Sequence, residues 1–289
     1  MAHRFIRFPE GKTKALTLSY DDAVAANKKF EEILTQYGIK CTFNINTSRL
    51  ADNKDFTAQD LKGFLQRGHE IAVHGHNHRA NGLVSTTEGI RDVLTCREEL
   101  ERALDTIVCG MAYPDCGIRR FNNGTMYQDI KNYLSALGIV YSRTLAGDND
   151  GFKLPLDWHA WMPTAHHANK NLFEYIDKFL AFDPDDVHYH TDHNVYLFYL
   201  WGHAYEFERS DYGWELLEKI CSKLSGRKEV WYATNMEIYE YVKAYDSLVF
   251  NTGETKVYNP SAKTVWFAIS DSKQSKTYRV NSGETIDII

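Results

Sequence analysis

Two adjacent carboxylates, Asp21-Asp22, and two imidazoles four residues apart, His74 and His78, are the side chains whose types and spacing could do chemistry together. Each pair follows an apolar run, Leu16-Thr17-Leu18-Ser19-Tyr20 before the first and Ile71-Ala72-Val73 before the second. If the chain turns helical after His74, the two rings stand one turn apart on one face and can chelate one ion, with His76 pointing away. Two imidazoles leave coordination positions open, as a catalytic metal requires. The plainer reading of Asp21-Asp22 is a helix N-cap followed by a first-turn acid, because Asp is favoured at both positions. Histidines can also gather by chance, but four within ten residues, His69, His74, His76 and His78, favour a metal.

Four later segments add polar groups. Ala112-Tyr113-Pro114-Asp115-Cys116-Gly117 could aim a backbone N–H into a site, or be an ordinary turn. Pro155-Leu156-Asp157-Trp158 and Trp161-Met162-Pro163-Thr164-Ala165-His166-His167 could pack or line a substrate wall. Leu197-Phe198-Tyr199-Leu200-Trp201-Gly202-His203 delivers a single His at its end.

Positioning such groups requires strands that end together. From Lys14 to about Val242 the chain alternates short apolar runs with helical patterns, the signature of β/α repetition. Strands are expected at Ala15–Tyr20, Cys41–Ile45, Glu70–His74, Cys109–Tyr113, Ile139–Tyr141, Val195–Trp201 and Glu229–Tyr232. Helices are expected at Ala25–Tyr37, Ala58–Gln66, Thr86–Asp105, Met126–Leu137, Asn171–Phe182, Tyr212–Leu224 and Asn235–Tyr245, the third opened by the capping-box spelling Ser85-Thr86-Thr87-Glu88. The class is therefore α/β: a distorted or incomplete (β/α) barrel with about seven strands over residues 1–247. After Tyr245, short β-prone runs separated by Asn-Thr-Gly, Asn-Pro-Ser and Asn-Ser-Gly turns predict a small antiparallel β appendage over 248–289.

With 289 residues, 43% of them hydrophobic, the chain can bury a full core. A net charge of -6 without a dense Lys/Arg run argues against nucleic acid and anionic membranes as partners. Five scattered cysteines suggest buried thiols, and the start lacks an apolar leader, so a cytoplasmic location is expected unless a leader has been removed. The oligomeric state is left open.

Taken in order, these segments resemble the polysaccharide deacetylase family, the NodB-type carbohydrate esterases, over about Ala15 to Tyr205. The resemblance implies that Asp21 is the catalytic base and that Asp22, His74 and His78 hold one divalent metal, zinc first, with nickel, cobalt or iron as options. It implies His203 as general acid, Asp157 as the carboxylate tuning that histidine, and Trp158 and Trp201 as pocket walls, Trp201 against the acetyl methyl. Pro114 and Asp115 would present a backbone N–H to the oxyanion. One departure stands out: Ala112 occupies the place of an Arg that orients the base, and Arg143 is the candidate substitute. The implied substrate is an N- or O-acetylated carbohydrate, small or oligomeric. Hydrolysis of another small amide or cyclic imide, and a catalytically silent carbohydrate-binding protein, are the competing readings.

Overall fold

The computed structural model describes residues 3–145, 151–183, 194–270 and 275–288. In chain order the elements are β1 (His3–Arg7), β2 (Lys14–Asp21), α1 (Ala26–Gln36), β3 (Thr42–Ile45), α2 (Thr47–Asp52), α3 (Ala58–Gln66), β4 (Glu70–Val73), α4 (Thr86–Leu104), β5 (Gly110–Ala112), α5 (Tyr127–Ala136) and β6 (Tyr141–Arg143). Next come β7 (Ala165–His166), α6 (Leu172–Ala181), β8 (Tyr196–His203), α7 (Glu206–Arg209), α8 (Gly213–Leu224), β9 (Val230–Tyr232), α9 (Asn235–Asp246) and five strands, β10 (Val249–Phe250), β11 (Lys256–Tyr258), β12 (Val265–Ser270), β13 (Ser275–Val280) and β14 (Thr285–Asp287).

The large sheet is parallel, in the order β6-β5-β4-β3-β2-β8-β7, with β9 added on β2. It curls into the incomplete (β/α) barrel that the alternation of runs predicts. All seven expected strands are present, with β6 shifted two residues onward. β2 is the hub: β8 pairs along its whole length, while β3 takes Ser19–Asp21 and β9 takes Lys14–Leu16. One irregular segment reaches both sheet edges, because Trp161 bridges to Arg143 of β6 and Ala165–His166 pair with β8. That two-residue strand and β1 were not expected; each depends on a distant partner that supplies no local pattern.

All eight residues of β2 are buried, as both faces of a barrel strand must be. Leu16, Leu18 and Tyr20 belong to the apolar layer shared with Phe30 and Leu34 of α1 and Leu217 and Ile220 of α8. Thr17, Ser19 and Asp21 face a polar interior. There Thr17 donates to the Asn235 side-chain oxygen at 2.8 Å, Asn235 donates to the Tyr199 hydroxyl at 2.6 Å, and its backbone N–H donates to Thr42 Oγ1 at 3.0 Å. Thr42, Tyr141 and the Met236 N–H in turn donate to the Glu70 carboxyl at 2.7, 2.6 and 2.9 Å. The network satisfies groups that would otherwise destabilise a dry barrel.

The C-terminal strands build two three-stranded sheets, β1-β12-β13 and β10-β11-β14, around Val257, Phe267, Tyr278 and Val280. β1, from the other end of the chain, lies antiparallel to β12, and Tyr241 of α9 ties the pair down: its hydroxyl donates to Arg7 O at 2.7 Å and accepts the Trp266 N–H at 2.9 Å. No helix among the described residues is long and apolar enough to cross a membrane.

Glu70 generates a stability prediction. Desolvation inside the barrel outweighs its three donors and raises its pKa from 4.5 to about 7. Below the unfolded value both states are protonated and its contribution is complete; as pH rises through the window to about 7 the unfolded chain ionises first and stability drains away. The slope is at most about 1.4 kcal/mol per pH unit. Urea denaturation from pH 4 to 8 should show this slope in the wild type and its loss in Glu70→Gln; equal slopes would refute the assignment.

Candidate active site

Asp21 closes β2 and Asp22 follows it, where an extended chain would point successive side chains to opposite faces. Asp22 instead adopts φ +76, a left-handed conformation that Asp tolerates better than most residues, and the turn brings both carboxylates to one place. The turn is held by Asp22 N–H donating to Asn44 O at 3.0 Å and Asn27 Nδ2 donating to Asp22 O at 2.7 Å. Asn46 braces it further, donating to Asp22 Oδ1 at 3.1 Å and accepting the Ala23 N–H at 3.0 Å. The N-cap reading of this pair is not realised: α1 begins at Ala26, beyond it, with no side-chain cap.

His74 follows β4, and the segment after it is not helical. Gly75 at φ +75 and His78 at φ +54 bend it into an irregular loop, since left-handed residues cannot extend a right-handed helix. The loop nevertheless brings the two rings to a centroid separation of 4.7 Å. One ligand atom each from Asp22, His74 and His78 lies within 4.8 Å of the others. His76 points away as expected, its Nδ1 lying 2.9 Å from both Thr47 and Glu99 oxygens.

The tautomer of His74 is set by its surroundings. Its Nδ1 lies 2.9 Å from the Ala112 carbonyl, which can only accept, so Nδ1 carries the proton and Nε2 offers a lone pair. Burial depresses the pKa of this ring, keeping it neutral as a metal ligand must be. Nε2 stands 3.9 Å from Asp21 Oδ2, and His78 Nε2 stands 3.8 Å from Asp22 Oδ1.

Asp21 accepts from Asn44 Nδ2 at 2.8 Å and, through Oδ2, from Arg143 Nη2 at 2.5 Å. Arg143 is fully buried and its guanidinium lies 4.9 Å from the Trp201 ring centroid. Burial alone would raise the pKa of Asp21; the Arg143 guanidinium, with His74 and His203 nearby, outweighs it and holds the group below the ordinary carboxylate range. The contact uses one nitrogen, so it is monodentate.

His203 ends β8 directly beside Asp21, its register partner across the strand pair. Its Nδ1 lies 3.3 Å from Glu206 Oε2, and Asp157 is engaged elsewhere. Asp157 accepts from Tyr127 at 2.8 Å and Lys131 at 2.7 Å, both on α5, and caps the turn at Trp158–Ala160 through the His159 N–H at 2.9 Å. The expectation that Asp157 tunes His203 is therefore corrected: its carboxylate is taken up by Lys131 and Tyr127. Trp158 packs edge-on against Trp161 and Tyr239 at 4.9 and 5.0 Å. Trp201 does stand in the site, 4.5 Å from the His166 ring and 5.9 Å from His203. Pro114 and Asp115 form the rim, with exposed Asp115 at φ +49 and its carboxylate 3.7 Å from His78 Nδ1.

Residues 9–141 match the family model described as polysaccharide deacetylase. That segment belongs to the polysaccharide deacetylase family. It contains Asp21, Asp22, His74 and His78 and ends before Arg143 and His203. A Mycobacterium smegmatis protein assigned as a polysaccharide deacetylase has a similar fold, with TM-score 0.58, 17% identity, and coverage of 83% of this chain and 94% of that one. The Xyl-CE4 domain of a multidomain xylanase from the hindgut metagenome of Trinervitermes trinervoides gives TM-score 0.50, 16% identity, and coverage of 80% and 92%. A mutant of BA3943, described as a CE4 family pseudoenzyme with restored enzymatic activity, gives 0.49, 14%, 81% and 70%. No curated protein matches the chain.

Four side chains of the site were not read from the sequence. Asn44 and Asn46 hold the two aspartates, Arg49 Nη1 lies 3.1 Å from Asp22 Oδ2, and Glu206 faces His203. Asn44-Ile45-Asn46 at the end of β3 is the one local signal that could have shown them, since amide side chains closing a parallel strand have little reason to be there without a polar partner. His188, His190 and His193 lie outside the described residues.

Removing the cation from a buried pair leaves an uncompensated charge, which costs roughly 3–5 kcal/mol. Arg143→Met in metal-free protein should lose stability on this scale by urea denaturation at pH 7, and adding Asp21→Asn should recover much of it. A loss below about 1 kcal/mol would mean that the pair is not formed.

Proposed function

We propose that this chain is a metal-dependent hydrolase that removes acetyl groups from N-acetylated, or O-acetylated, carbohydrate. The observation that carries the reading is the convergence, from distant parts of the chain, of one carboxylate and two imidazoles able to ligate, with a second carboxylate and a third imidazole beside them. The donor set suits a borderline divalent cation such as zinc, and the proton on Nδ1 of His74 leaves Nε2 free to bind it. Held by Asp22, His74 and His78, such an ion would supply Lewis acidity toward the acetyl carbonyl and lower the pKa of water.

The remaining work falls to the chain's own side chains. Asp21, kept ionised by Arg143, takes the proton of the attacking water. A backbone N–H at Asp115, on the rim beside Pro114, faces the developing oxyanion, where a preorganised donor contributes most. Trp201 offers its apolar face to the acetyl methyl. His203 donates a proton to the departing nitrogen or oxygen. Its pKa is raised: burial opposes the charged form, but the hydrogen bond to Glu206 and the charges of Asp21, Glu206 and Asp22 overcome it. An amide nitrogen leaves poorly unless protonated, so the acid matters most for an N-acetyl substrate.

Acetate release from N-acetylglucosamine oligomers, with elemental analysis of the purified protein, tests the scheme. Chelation should abolish turnover and the returned metal restore it. Asp21→Asn should keep its metal and lose about 10²–10⁴-fold in kcat, the usual scale of general-base catalysis, whereas Asp22→Ala should lose both metal and activity. Arg143→Lys, which exchanges a planar donor for a point charge, should slow the reaction about tenfold or more. Full activity without metal, or in Asp21→Asn, would overturn the mechanism; turnover confined to cyclic imides would redirect the substrate, and sugar binding without turnover by metal-loaded protein would favour a silent binder.

A further inference from the structure

His166, His167 and His203 each turn a ring nitrogen toward the same atom, Oε2 of Glu206, at 3.1, 3.4 and 3.3 Å. That oxygen also accepts the backbone N–H of His203 at 3.0 Å. His166, His167 and Glu206 present ligand atoms within 4.8 Å of one another, so a second ion is the first possibility to weigh. The tautomer of His166 argues against it. Ala168 N–H donates to His166 Nδ1 at 3.1 Å; a neutral ring accepting there carries its proton on Nε2, the atom facing Glu206, and has no lone pair left for a cation. The contact is instead a hydrogen bond from His166 to a carboxylate, the stronger charge-assisted kind.

His167 closes the other side of the cluster. Its Nδ1 lies 3.2 Å from the Tyr20 hydroxyl and its Nε2 3.1 Å from the Tyr212 hydroxyl, and its ring stacks on Phe207 at 4.3 Å. The space it fills exists because residue 202 is glycine: a Cβ there would lie 2.0 Å from His167 Nδ1. Burial pushes the pKa of His167 down to about 3, so it acts as a neutral wall. Glu206 is thus boxed between two histidines and the start of α7, while Asp157 is spent on Lys131 and Tyr127.

We propose that Glu206, clamped by His166, is the positioning carboxylate that orients His203 in this chain, a role for which Asp157 is too well occupied. The inference rests on His203 acting as the acid. A carboxylate only accepts, so His203 donates Nδ1–H to Glu206 and presents Nε2 to the substrate. The charged groups around His203 are Asp21 and Asp22 from the end of β2 and Glu206 from α7, with His166 and His167 behind Glu206. Removing Glu206 leaves the two aspartates, so the ring should lose part of its proton affinity and its fixed rotamer.

The decisive measurement is NMR titration of the His203 imidazole in metal-free wild type, Glu206→Gln and Asp157→Asn. In Glu206→Gln the pKa of His203 should fall by about one unit, tenfold in proton affinity, whereas Asp157→Asn should leave it in place. His166→Phe, which removes the clamp but keeps a ring, should shift it in the same direction by less, and serves if Glu206→Gln does not fold. In turnover, Glu206→Gln should lower kcat about tenfold or more for an N-acetyl sugar with KM little changed, and spare an activated aryl acetate whose leaving group needs no proton. An unmoved His203 titration in Glu206→Gln and His166→Phe, or a fall in Asp157→Asn, overturns the proposal. A wild type that releases no acetate would sink the deacetylase reading while the titration still decides on Glu206.

Discussion

A guanidinium with no solvent exposure must find its counter-charge inside the protein, and for Arg143 that charge is Asp21, 2.5 Å away. The two residues belong to strands separated by three others in the sheet order, β6-β5-β4-β3-β2. Four strand spacings along a flat sheet amount to about 19 Å, far beyond the reach of one side chain. The contact can form only if the sheet curls until β6 faces β2 across an interior. Curvature, the polar character of that interior, and the meeting of strand ends at one mouth therefore belong to a single arrangement. Asp21 is held by the same geometry that shapes the barrel, which is why its carboxylate is fixed and ionised.

The same interior shows how a guanidinium on β6 reaches a carboxylate on β2. Ala112 stands where the resembled family keeps its arginine, and the register pairs Ala112 with Arg143 on the adjacent strand. Moving the cation one strand outward lengthens the path by a single spacing, which the curl shortens again. The vacated position is still used through its main chain: the Ala112 carbonyl fixes the tautomer of His74. On the proposed reading a neighbouring strand supplies the guanidinium, while the Ala112 backbone orients His74, the proposed metal ligand.

Legibility in the sequence tracked the range of the interaction. Strands buried on both faces write continuous apolar runs, so the repeat from Ala15 to Tyr232 and its α/β class could be read directly. The aspartates and histidines announced themselves by type and spacing, and the convergence does not need a helical turn after His74: Gly75 and the left-handed His78 produce it from a loop. Missed were the parts whose meaning is another residue. β1 is a strand only because β12 lies beside it, and Ala165–His166 only because β8 does. Asp157-Trp158 misled in the opposite sense, for a dipeptide spelling cannot reveal that Lys131, a helix away, has claimed the carboxylate.

With Asp157 claimed, the histidine at the end of β8 needs another anchor. A strand-end imidazole near two aspartates would be drawn toward them, and its ring nitrogen could not face both a base and a leaving group. A carboxylate on its far nitrogen resolves the conflict by fixing which edge of the ring turns inward. Glu206 can do this from within the first turn of α7 because the chain reverses immediately after His203, so that its carboxylate meets both the backbone N–H and the ring of a residue three positions earlier. That turn is local, whereas the family's aspartate would have to reach from the loop before β7. A local anchor adds little loop-closure entropy to the ordering of the site, and its precision comes from the histidines packed behind it rather than from distance along the chain.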